Sequence, residues 1–222
     1  MTRVKICGIK RVSDALAAIE FGADAIGVLV GQCHASTDFI TPELAAEIYL
    51  NLPPCCSFVL VTHLCEPDAI CKLATTVGAG TIQLHGGTTL RRIAEIRRRL
   101  PTVKLIKAVH VTGPEALSQV EKFQDAVDCI LLDTFSAATN QVGGTGKTHD
   151  WSLSAQITAT CSKPVILAGG LNCTNVAAAI ELVKPFGVDV NSGTKGADGY
   201  KDRTRLRDFI FAARHSPFAV SS

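Results

Sequence analysis

The sequence has few aromatic residues, no excess charge of one sign and no long apolar run. Aromatic residues make up 5% of the 222 residues, and 22 lysines and arginines against 20 acidic residues leave a formal net charge of +2. That balance argues against a nucleic-acid or anionic-membrane partner, which usually requires a clustered basic excess. No stretch approaches the ~18 apolar residues of a membrane span, and the first residues are strand-like rather than signal-peptide-like. We therefore expect a cytoplasmic protein with no nucleic-acid or membrane partner.

Cysteine is frequent, but its spacing matches neither a zinc site nor a redox motif. The nine cysteines are an odd number, and no two have the CxxC spacing of zinc ribbons and thioredoxin-like proteins. Most lie in apolar segments, such as Cys129 before Ile130-Leu131-Leu132. The pattern predicts mostly buried free thiols in a reducing compartment, and no bound metal.

Short apolar runs alternate with longer amphipathic stretches along the whole chain. The predicted strands recur at intervals of roughly 20–35 residues, the length of one strand with its crossover helix. The strands are predicted at 3–7, 25–30, 57–62, 81–85, 103–109, 129–133, 164–168 and 188–191. The helices predicted between and after them are 13–21, 41–50, 90–100, 114–123, 151–160, 175–183 and 202–213.

The predicted strands are apolar on both faces, which is typical of parallel strands covered by helices. Eight such strands, each followed by a helix, close into a (β/α)8 TIM barrel. The alternative is an open doubly wound sheet, but the first strand leads into Cys7-Gly8-Ile9-Lys10 rather than a GxGxxG turn. Because no linker interrupts the chain, we expect one α/β domain over residues 1–222, with 216–222 as a frayed tail.

In a TIM barrel the catalytic groups lie at the carboxyl ends of the strands and in the loops that follow. The predicted ends carry polar side chains that do not help to bury a core, and as a set they favour a small-molecule enzyme. They include Cys7, His63, Gln83, His85, Lys107, His110, Asp133 and Asn191. Cys7 ends the first predicted strand and Asp133 ends the sixth, so we expect them to face each other across the barrel mouth. A substrate seated between them could be deprotonated on one side and protonated on the other. A thiol acts as a base only when its pKa is lowered, and Lys107 could serve either group.

Three glycine clusters follow the last three predicted strands. They are Gly143-Gly144-Thr145-Gly146-Lys147, Ala168-Gly169-Gly170 and Ser192-Gly193. Glycine lets main-chain N–H groups approach anion oxygens, and the late loops of barrels often hold phosphate. A helix beginning after the eighth strand would add its positive end. Gly146-Lys147-Thr148 also looks like the end of a P-loop, but Gln141 stands where the first glycine belongs, which argues against a nucleoside triphosphatase.

Together these residues resemble the phosphoribosylanthranilate isomerase family of tryptophan biosynthesis over nearly the whole chain. The markers are Lys5-Ile6-Cys7-Gly8-Ile9, the segment 22–27, Gln83-Leu84-His85-Gly86, Leu132-Asp133-Thr134, the segment 143–147 with Trp151, and the segments 168–171, 189–193 and 201–202. The resemblance implies an Amadori rearrangement of an aminoaldose phosphate to an aminodeoxyketose phosphate. It also implies that no cofactor is needed, because the substrate's own nitrogen stabilises the intermediates.

The resemblance further implies a role for each matching residue. Cys7 matches the general base that takes the C2 proton, and Asp133 matches the general acid that protonates the furanose ring oxygen. The expected substrate and phosphate contacts are Gly144, Gly146, Gly169, Gly170, Ser192, Gly193, His85, Asp189 and Lys195. The expected partner is a small phosphorylated sugar, and the sequence leaves monomer and homodimer open.

Two departures from the family's pattern bear on the substrate. The family usually has Ser-Pro-Arg after the second strand, with the arginine on the anthranilate carboxylate, where this chain has Ser36-Thr37-Asp38. Losing a charge-assisted contact costs roughly 1.5–3 kcal/mol, and repulsion by the acid adds to that. After the eighth strand, Lys195 stands where an acid is common, either to reinforce phosphate binding or simply solvated.

Three functions are compatible with these residues. The first is the anthranilate isomerase itself, with His34, Arg11 or an outward lysine in place of the missing arginine. The second is a paralogue with the same barrel and acid–base pair, acting on a phosphorylated substrate that lacks the carboxylate. The third is a non-catalytic barrel that binds a phosphorylated metabolite.

Overall fold

The computed structural model describes residues 1–32, 36–136, 141–142 and 149–215, and its central feature is a closed barrel of eight parallel strands. The barrel strands are β1 (Arg3–Ile6), β2 (Ala25–Leu29), β3 (Ser57–Thr62), β4 (Thr81–Leu84), β5 (Lys104–His110), β6 (Cys129–Asp133), β9 (Val165–Leu167) and β10 (Gly187–Val190). A short antiparallel hairpin, β7 (Phe135–Ser136) and β8 (Gln141–Val142), follows β6.

Eight helices of the described chain surround the barrel. They are α1 (Val12–Glu20), α2 (Pro42–Leu50), α3 (Pro67–Val77), α4 (Leu90–Arg99), α5 (Glu115–Gln124), α6 (Trp151–Thr160), α7 (Val176–Val183) and α8 (Arg203–Arg214). Several begin at side chains that cap the first turn, as where the Thr41 hydroxyl accepts from the Leu44 amide at 3.2 Å. The predicted TIM barrel is confirmed, whereas its description as one domain stays a prediction.

The strand order around the barrel is β1-β10-β9-β6-β5-β4-β3-β2, with β2 closing on β1. Side chains alternate between the barrel interior and the layer beneath the helices, as the pleat requires. Most buried apolar residues lie in that outer layer, whereas the interior cluster is small and includes Cys7, Val61, Ala108 and Leu131. The carboxyl end of the interior is therefore left to polar side chains, and this is where a site can form.

The structure corrects four sequence predictions. Helix α3 was not predicted, although Ile70, Leu73, Ala74 and Val77 have helical spacing and are buried. The hairpin after β6 was not predicted either. After β10 the chain forms only a three-residue 3₁₀ turn, Ser192–Thr194, instead of the helix whose positive end was expected there.

The fourth correction concerns the cysteines, of which most were expected to be buried. Of the eight cysteines in the described chain, all free, only Cys7, Cys71 and Cys129 are buried. Cys55 and Cys173 are exposed. The predicted tail at 216–222 lies outside the described residues. Among the helices of the described residues, none is long and apolar enough to cross a membrane.

Candidate active site

A cavity of about 450 Å³ opens at the carboxyl ends of the barrel strands. It gathers most of the predicted site residues: Cys7, His85, Asp133, Gly169, Gly170, Asp189, Ser192 and Lys195 all line it. Gly193 follows Ser192 and packs against the Leu171 carbonyl, where an added Cβ would lie 2.1 Å from the oxygen. The predicted phosphate contacts Gly144 and Gly146, and His34, lie outside the described residues.

Cys7 and Asp133 lie on the same rim but are not diametrically opposed, as the sequence analysis had placed them. Cys7 directly follows β1 and Asp133 ends β6, and in the barrel order these strands are separated by β10 and β9. The loops that carry Gly169, Gly170 and Ser192 follow β9 and β10. The glycine loops therefore lie between the thiol and the carboxyl group along the rim.

The Cys7 thiol lies beside a buried ion pair. Lys5 Nζ is 2.9 Å from Asp189 Oδ2. Gly27 on β2 leaves room for the Lys5 and Cys7 side chains, because a Cβ at this position would lie 3.0 Å from Cys7 Sγ and 3.2 Å from Lys5 Nζ. Burial raises the pKa of Cys7 to about 11, with Lys5 and Lys201 acting against it and the charge of Asp189 adding to it. Burial alone would lower the pKa of Lys5, but Asp189 and Cys7 outweigh it and the pKa is raised. The ammonium is therefore placed to stabilise a thiolate.

Asp133 is a buried carboxyl group that stays partly protonated near neutral pH. Burial raises the pKa of Asp133 to about 7, and the charge of Asp189 adds to the rise. The Thr134 N–H, which donates to Oδ1 at 2.7 Å, and the charge of Lys5 both oppose it. Oδ2 lies 3.4 Å from His85 Nε2. Burial, and after it the positive charges that His110, His63, Lys107 and Lys5 can carry, lower the pKa of His85 well below its usual value, so that contact is to a neutral imidazole.

The rings of Phe39, His63 and His85 line the cavity opposite the glycine loops and form its aromatic wall. The rings of Phe39 and His63 meet edge to face at 5.3 Å, His63 and His85 lie 5.0 Å apart, and His85 and His110 lie 5.4 Å apart. Ligating atoms of His85, His110 and Asp133 lie within 4.8 Å of one another, which is the one group in the described chain with the composition of a metal site. In the structure His85 is already engaged by the Gln83 amide at Nδ1, at 3.0 Å, and we assign no metal to the group.

The loop after β9 has a backbone conformation that glycine favours. Gly169 and Gly170 both have positive φ, at +83° and +68°, a conformation that side-chain-bearing residues rarely adopt. An added Cβ at Gly169 would lie 2.1 Å from the Thr134 hydroxyl. Successive N–H groups in such a turn form a concave surface that suits phosphate oxygens.

Asp38 and Lys195, the two positions that depart from the family's pattern, contact each other. Lys195 Nζ lies 2.5 and 2.6 Å from the two Asp38 oxygens, and the Asn191 amide donates to Oδ2 at 2.9 Å. Burial would raise the pKa of Asp38, but the hydrogen bonds from Lys195 and Asn191 outweigh it and the pKa is lowered. Lys201 completes the network by donating to the Asn191 carbonyl at 2.8 Å and to its Oδ1 at 3.2 Å.

Two side chains considered from the sequence do not reach the cavity. Lys107 points outward between β5 and the helices, where its ammonium donates to the Gly86 and Ala108 carbonyls at 2.9 and 2.8 Å. Arg11 pairs with Asp14 at 3.0 Å. Pleat alternation from Ile106 and Ala108, which face the interior, would have excluded Lys107.

Two residues of the site were not predicted from the sequence: Phe39, which lines the cavity, and Lys201, whose ammonium group contacts Asn191. Phe39 lies just before α2 in the loop after β2, and an apolar residue among polar ones in that loop was its only local signal. Lys201 is buried, and burial lowers its pKa to about 7. Its part of the chain matched the family's motif, but nothing local indicated that its side chain reaches Asn191.

Comparison with known proteins gives one consistent family. Residues 4–212 match the family model described as N-(5'phosphoribosyl)anthranilate (PRA) isomerase. N-(5'-phosphoribosyl)anthranilate isomerase 2 of Methanosarcina mazei is 44% identical over 98% of this chain and 96% of its own length. The phosphoribosyl anthranilate isomerase structure from Thermotoga maritima has a TM-score of 0.86 and 37% identity over 96% of this chain and 99% of that one.

A second solved structure of this kind contains a ligand. It is a phosphoribosyl anthranilate isomerase in complex with reduced 1-(o-carboxyphenylamino)-1-deoxyribulose 5-phosphate. It has a TM-score of 0.82 and 36% identity over 96% of this chain and 99% of that one.

Proposed function

The chain belongs to the phosphoribosylanthranilate isomerase family, and from that premise we propose that it catalyses the Amadori rearrangement of phosphoribosylanthranilate to the 1-deoxyribulose phosphate derivative in tryptophan biosynthesis. The observation that carries the proposal is the cavity in which Cys7 and Asp133 flank the loops of Gly169, Gly170 and Ser192. An acid, a base and an anion seat are the three parts that this reaction needs, and here they share one rim.

Asp133 is assigned as the general acid. It gives its proton to the furanose ring oxygen, the C1–O bond breaks, and the nitrogen lone pair forms a C1=N Schiff base. A carboxyl group with a pKa of about 7 is partly protonated at neutral pH, whereas an ordinary aspartate is not. The neutral His85 and the Thr134 N–H fix the orientation of the carboxyl group.

Cys7 is assigned as the general base. Its thiolate takes the C2 proton, the C2–H electrons form the C1=C2 bond, and the C=N electrons return to nitrogen to give the enolamine. Tautomerisation of the enolamine to the C2 ketone, with a proton added at C1, completes an isomerisation without net redox change. Lys5 is the nearest stabiliser of the thiolate, because it lowers the pKa that burial raises.

The phosphate is assigned to the loops after β9 and β10. The paired positive-φ glycines Gly169 and Gly170, with Ser192, present main-chain groups to the cavity between Cys7 and Asp133. An anion bound there would hold the ribose between the two reacting side chains, which lowers the entropy cost of both proton transfers. The eight free cysteines of the described chain suit a reducing compartment, and we infer a cytoplasmic location on that ground.

The direct test is turnover of phosphoribosylanthranilate by the purified protein, with formation of the ketose product as readout. Cys7→Ser and Asp133→Asn should each lower kcat by about 10²-fold or more, because each removes one proton-transfer group. Cys55→Ser and Asp125→Asn are the matched controls and should retain activity, because both residues are exposed and precede β3 and β6, at the end of the strands away from the cavity. Absence of turnover by the wild-type protein, or full activity of both site variants, would refute the assignment.

A further inference from the structure

We infer that Lys195, aimed by Asp38, forms a subsite for the carboxylate of the substrate's aromatic group. The inference rests on the proposed function, since phosphoribosylanthranilate carries a benzoate carboxylate in addition to its phosphate. A second anion on the substrate calls for a second source of positive charge in the cavity. Lys195 is the one lysine or arginine among the described residues that line it.

Two buried lysines near the cavity, Lys5 and Lys201, are engaged inside the protein. Lys5 pairs with Asp189 within the barrel, where both side chains are less than a tenth exposed. Lys201 donates to the Asn191 carbonyl and side chain and to the Thr194 hydroxyl at 3.1 Å. Neither can turn to a ligand without leaving buried acceptors unsatisfied.

Lys195 is held by its own backbone as well as by its ammonium group. Its amide donates to the Ser192 carbonyl at 3.1 Å, and its carbonyl accepts from Arg205 at 2.6 Å. The side chain then reaches Asp38, which stands on the loop after β2. Because the ammonium position is fixed in advance, a ligand carboxylate does not have to immobilise a flexible chain.

The position of Asp38 determines what Lys195 can meet. The glycine loops follow β9 and β10 on one side of β1, whereas Asp38 lies on the other side, next to Phe39. Phe39 and His63 form the start of the aromatic wall at that side. A flat aromatic ring beside a cation is the complement of a benzoate, whereas a phosphate would be met by the glycines.

Asp38 does not cancel this attraction. Its two oxygens are already occupied by Lys195 and by Asn191, and its side chain is 13% exposed against 20% for Lys195. An ammonium group has three N–H donors, so one partner carboxylate does not exhaust it. Asp38 in the loop after β2 and Lys195 in the loop after β10 thus form one ion pair, and its positive charge comes from the loop after β10.

The test compares two substrates with two variants. Phosphoribosylanthranilate is set beside the carboxylate-free analogue made from ribose 5-phosphate and aniline. Lys195→Gln should raise KM for the anthranilate substrate by about tenfold or more, as expected for loss of a charged hydrogen bond, with a smaller change in kcat. The same variant should leave KM for the aniline analogue unchanged, and Lys195→Arg should keep KM for both near the wild-type value.

Each alternative gives a different result. An equal rise in KM for both substrates would place Lys195 on the phosphate and overturn the inference, and unchanged KM values would give it no role in binding. Wild-type protein that turns over neither substrate would instead refute the proposed function. Lys122→Gln, at an exposed position remote from the cavity, is the control for nonspecific charge loss.

Discussion

Lys5 and Asp189 are register partners on the adjacent strands β1 and β10, and their side chains form an ion pair, Nζ to Oδ2 at 2.9 Å. The pair acts on both of the proposed proton-transfer groups. After burial, which raises both values, Lys5 lowers and Asp189 raises the pKa of Cys7 and of Asp133. In both groups Lys5 therefore favours the ionised form and Asp189 favours the protonated form.

Removing Lys5 should cost both stability and activity. Lys5→Met leaves Asp189 buried and unpaired, and breaking such a pair typically costs about 3–5 kcal/mol in the free energy of unfolding. The double variant Lys5→Met with Asp189→Leu should recover most of that stability, because an apolar pair of similar volume carries no buried charge. Chemical denaturation of the three proteins measures both effects.

Among these three proteins, kcat should not recover together with the free energy of unfolding. Both variants lack the ammonium group that stabilises the Cys7 thiolate, so kcat should stay low in the double variant although its fold is restored. Recovery of kcat together with stability would mean that Lys5 is only structural.

The pH profile of kcat/KM should have limbs at about 7 and about 11. The productive form has Asp133 protonated and Cys7 deprotonated, while their pKa values are about 7 and about 11. Below pH 7 the acid is protonated and the thiolate fraction rises with pH. Between pH 7 and pH 11 the rising fraction of Cys7 thiolate is offset by the falling fraction of protonated Asp133. Above pH 11 Cys7 is fully ionised, and only the fall in protonated Asp133 continues.

Activity should therefore rise to a plateau that begins near pH 7 and fall again near pH 11. Because kcat/KM reports the free enzyme, its limbs are the ones to compare with these pKa values. The groups that face the two residues are Lys5, Asp189, Lys201 and His85. A single ascending limb near pH 9, with no change near 7, would contradict the assignment of Asp133 as the acid.

The barrel was predictable from sequence because each of its strands is a local pattern. Apolar runs such as Cys129–Asp133 end within a residue of their predicted limits, and the capped start of α2 at Thr41 is a local signal as well. Helix α3 was missed because polar and β-branched residues interrupt its run. Its buried spacing and the Gly78 cap, at φ +78°, were present in the sequence all the same.

The contacts between residues of the cavity were harder to predict from the sequence. Asp38 and Lys195 are 157 residues apart, and only closure of the barrel brings the loops after β2 and β10 to either side of β1. Each residue alone looked like a defect in a known pattern, an acid where a cation belongs and a cation where an acid is common. The sequence predicted most of the residues that lie on the rim, but not which of them pair.

Gly193→Ala should damage the proposed phosphate seat. An added Cβ would lie 2.1 Å from the Leu171 carbonyl oxygen, so the backbone of one loop must move. Overpacking of this kind typically costs about 1–3 kcal/mol. Gly87→Ala is the matched control, since a Cβ there meets nothing within 4 Å. Gly193→Ala, but not Gly87→Ala, should have a lower melting temperature and be inhibited less strongly by inorganic phosphate. A normal phosphate affinity in Gly193→Ala would mean that this loop does not bind phosphate.

Alkylation should distinguish Cys7 from the surface cysteines. Burial raises the pKa of Cys7 to about 11, and the thiolate is the reactive form. At pH 7.5 iodoacetamide should therefore modify the exposed Cys55 and Cys173 well before the buried Cys7, as followed by peptide mass spectrometry. The rate at Cys7 should rise with pH and fall when phosphate fills the cavity. Rapid labelling of Cys7 at neutral pH would show that its pKa in solution is low.

The two ends of the described chain are joined by Arg214, and this contact tests whether the barrel unfolds as one domain. Arg214 in the last turn of α8 pairs with Asp24 at 2.6 Å and donates to the Gly22 and Thr2 carbonyls at 2.8 and 3.1 Å. Asp24 also accepts from the Val4 amide at 2.7 Å, so one carboxylate fixes α8 to the start of β1.

Arg214→Ala should lower the free energy of unfolding by about 1–3 kcal/mol, because it removes the charged hydrogen bonds to Asp24, Gly22 and Thr2. Trp151 lies on α6 and reports on another part of the barrel by fluorescence, while circular dichroism reports on all helices. In a single cooperative domain both signals shift to the same new midpoint. Arg207→Ala, whose partner Asp208 is its exposed neighbour, should shift neither. A fluorescence transition that stays at the wild-type midpoint while the dichroism transition splits would mean that the chain unfolds as more than one unit.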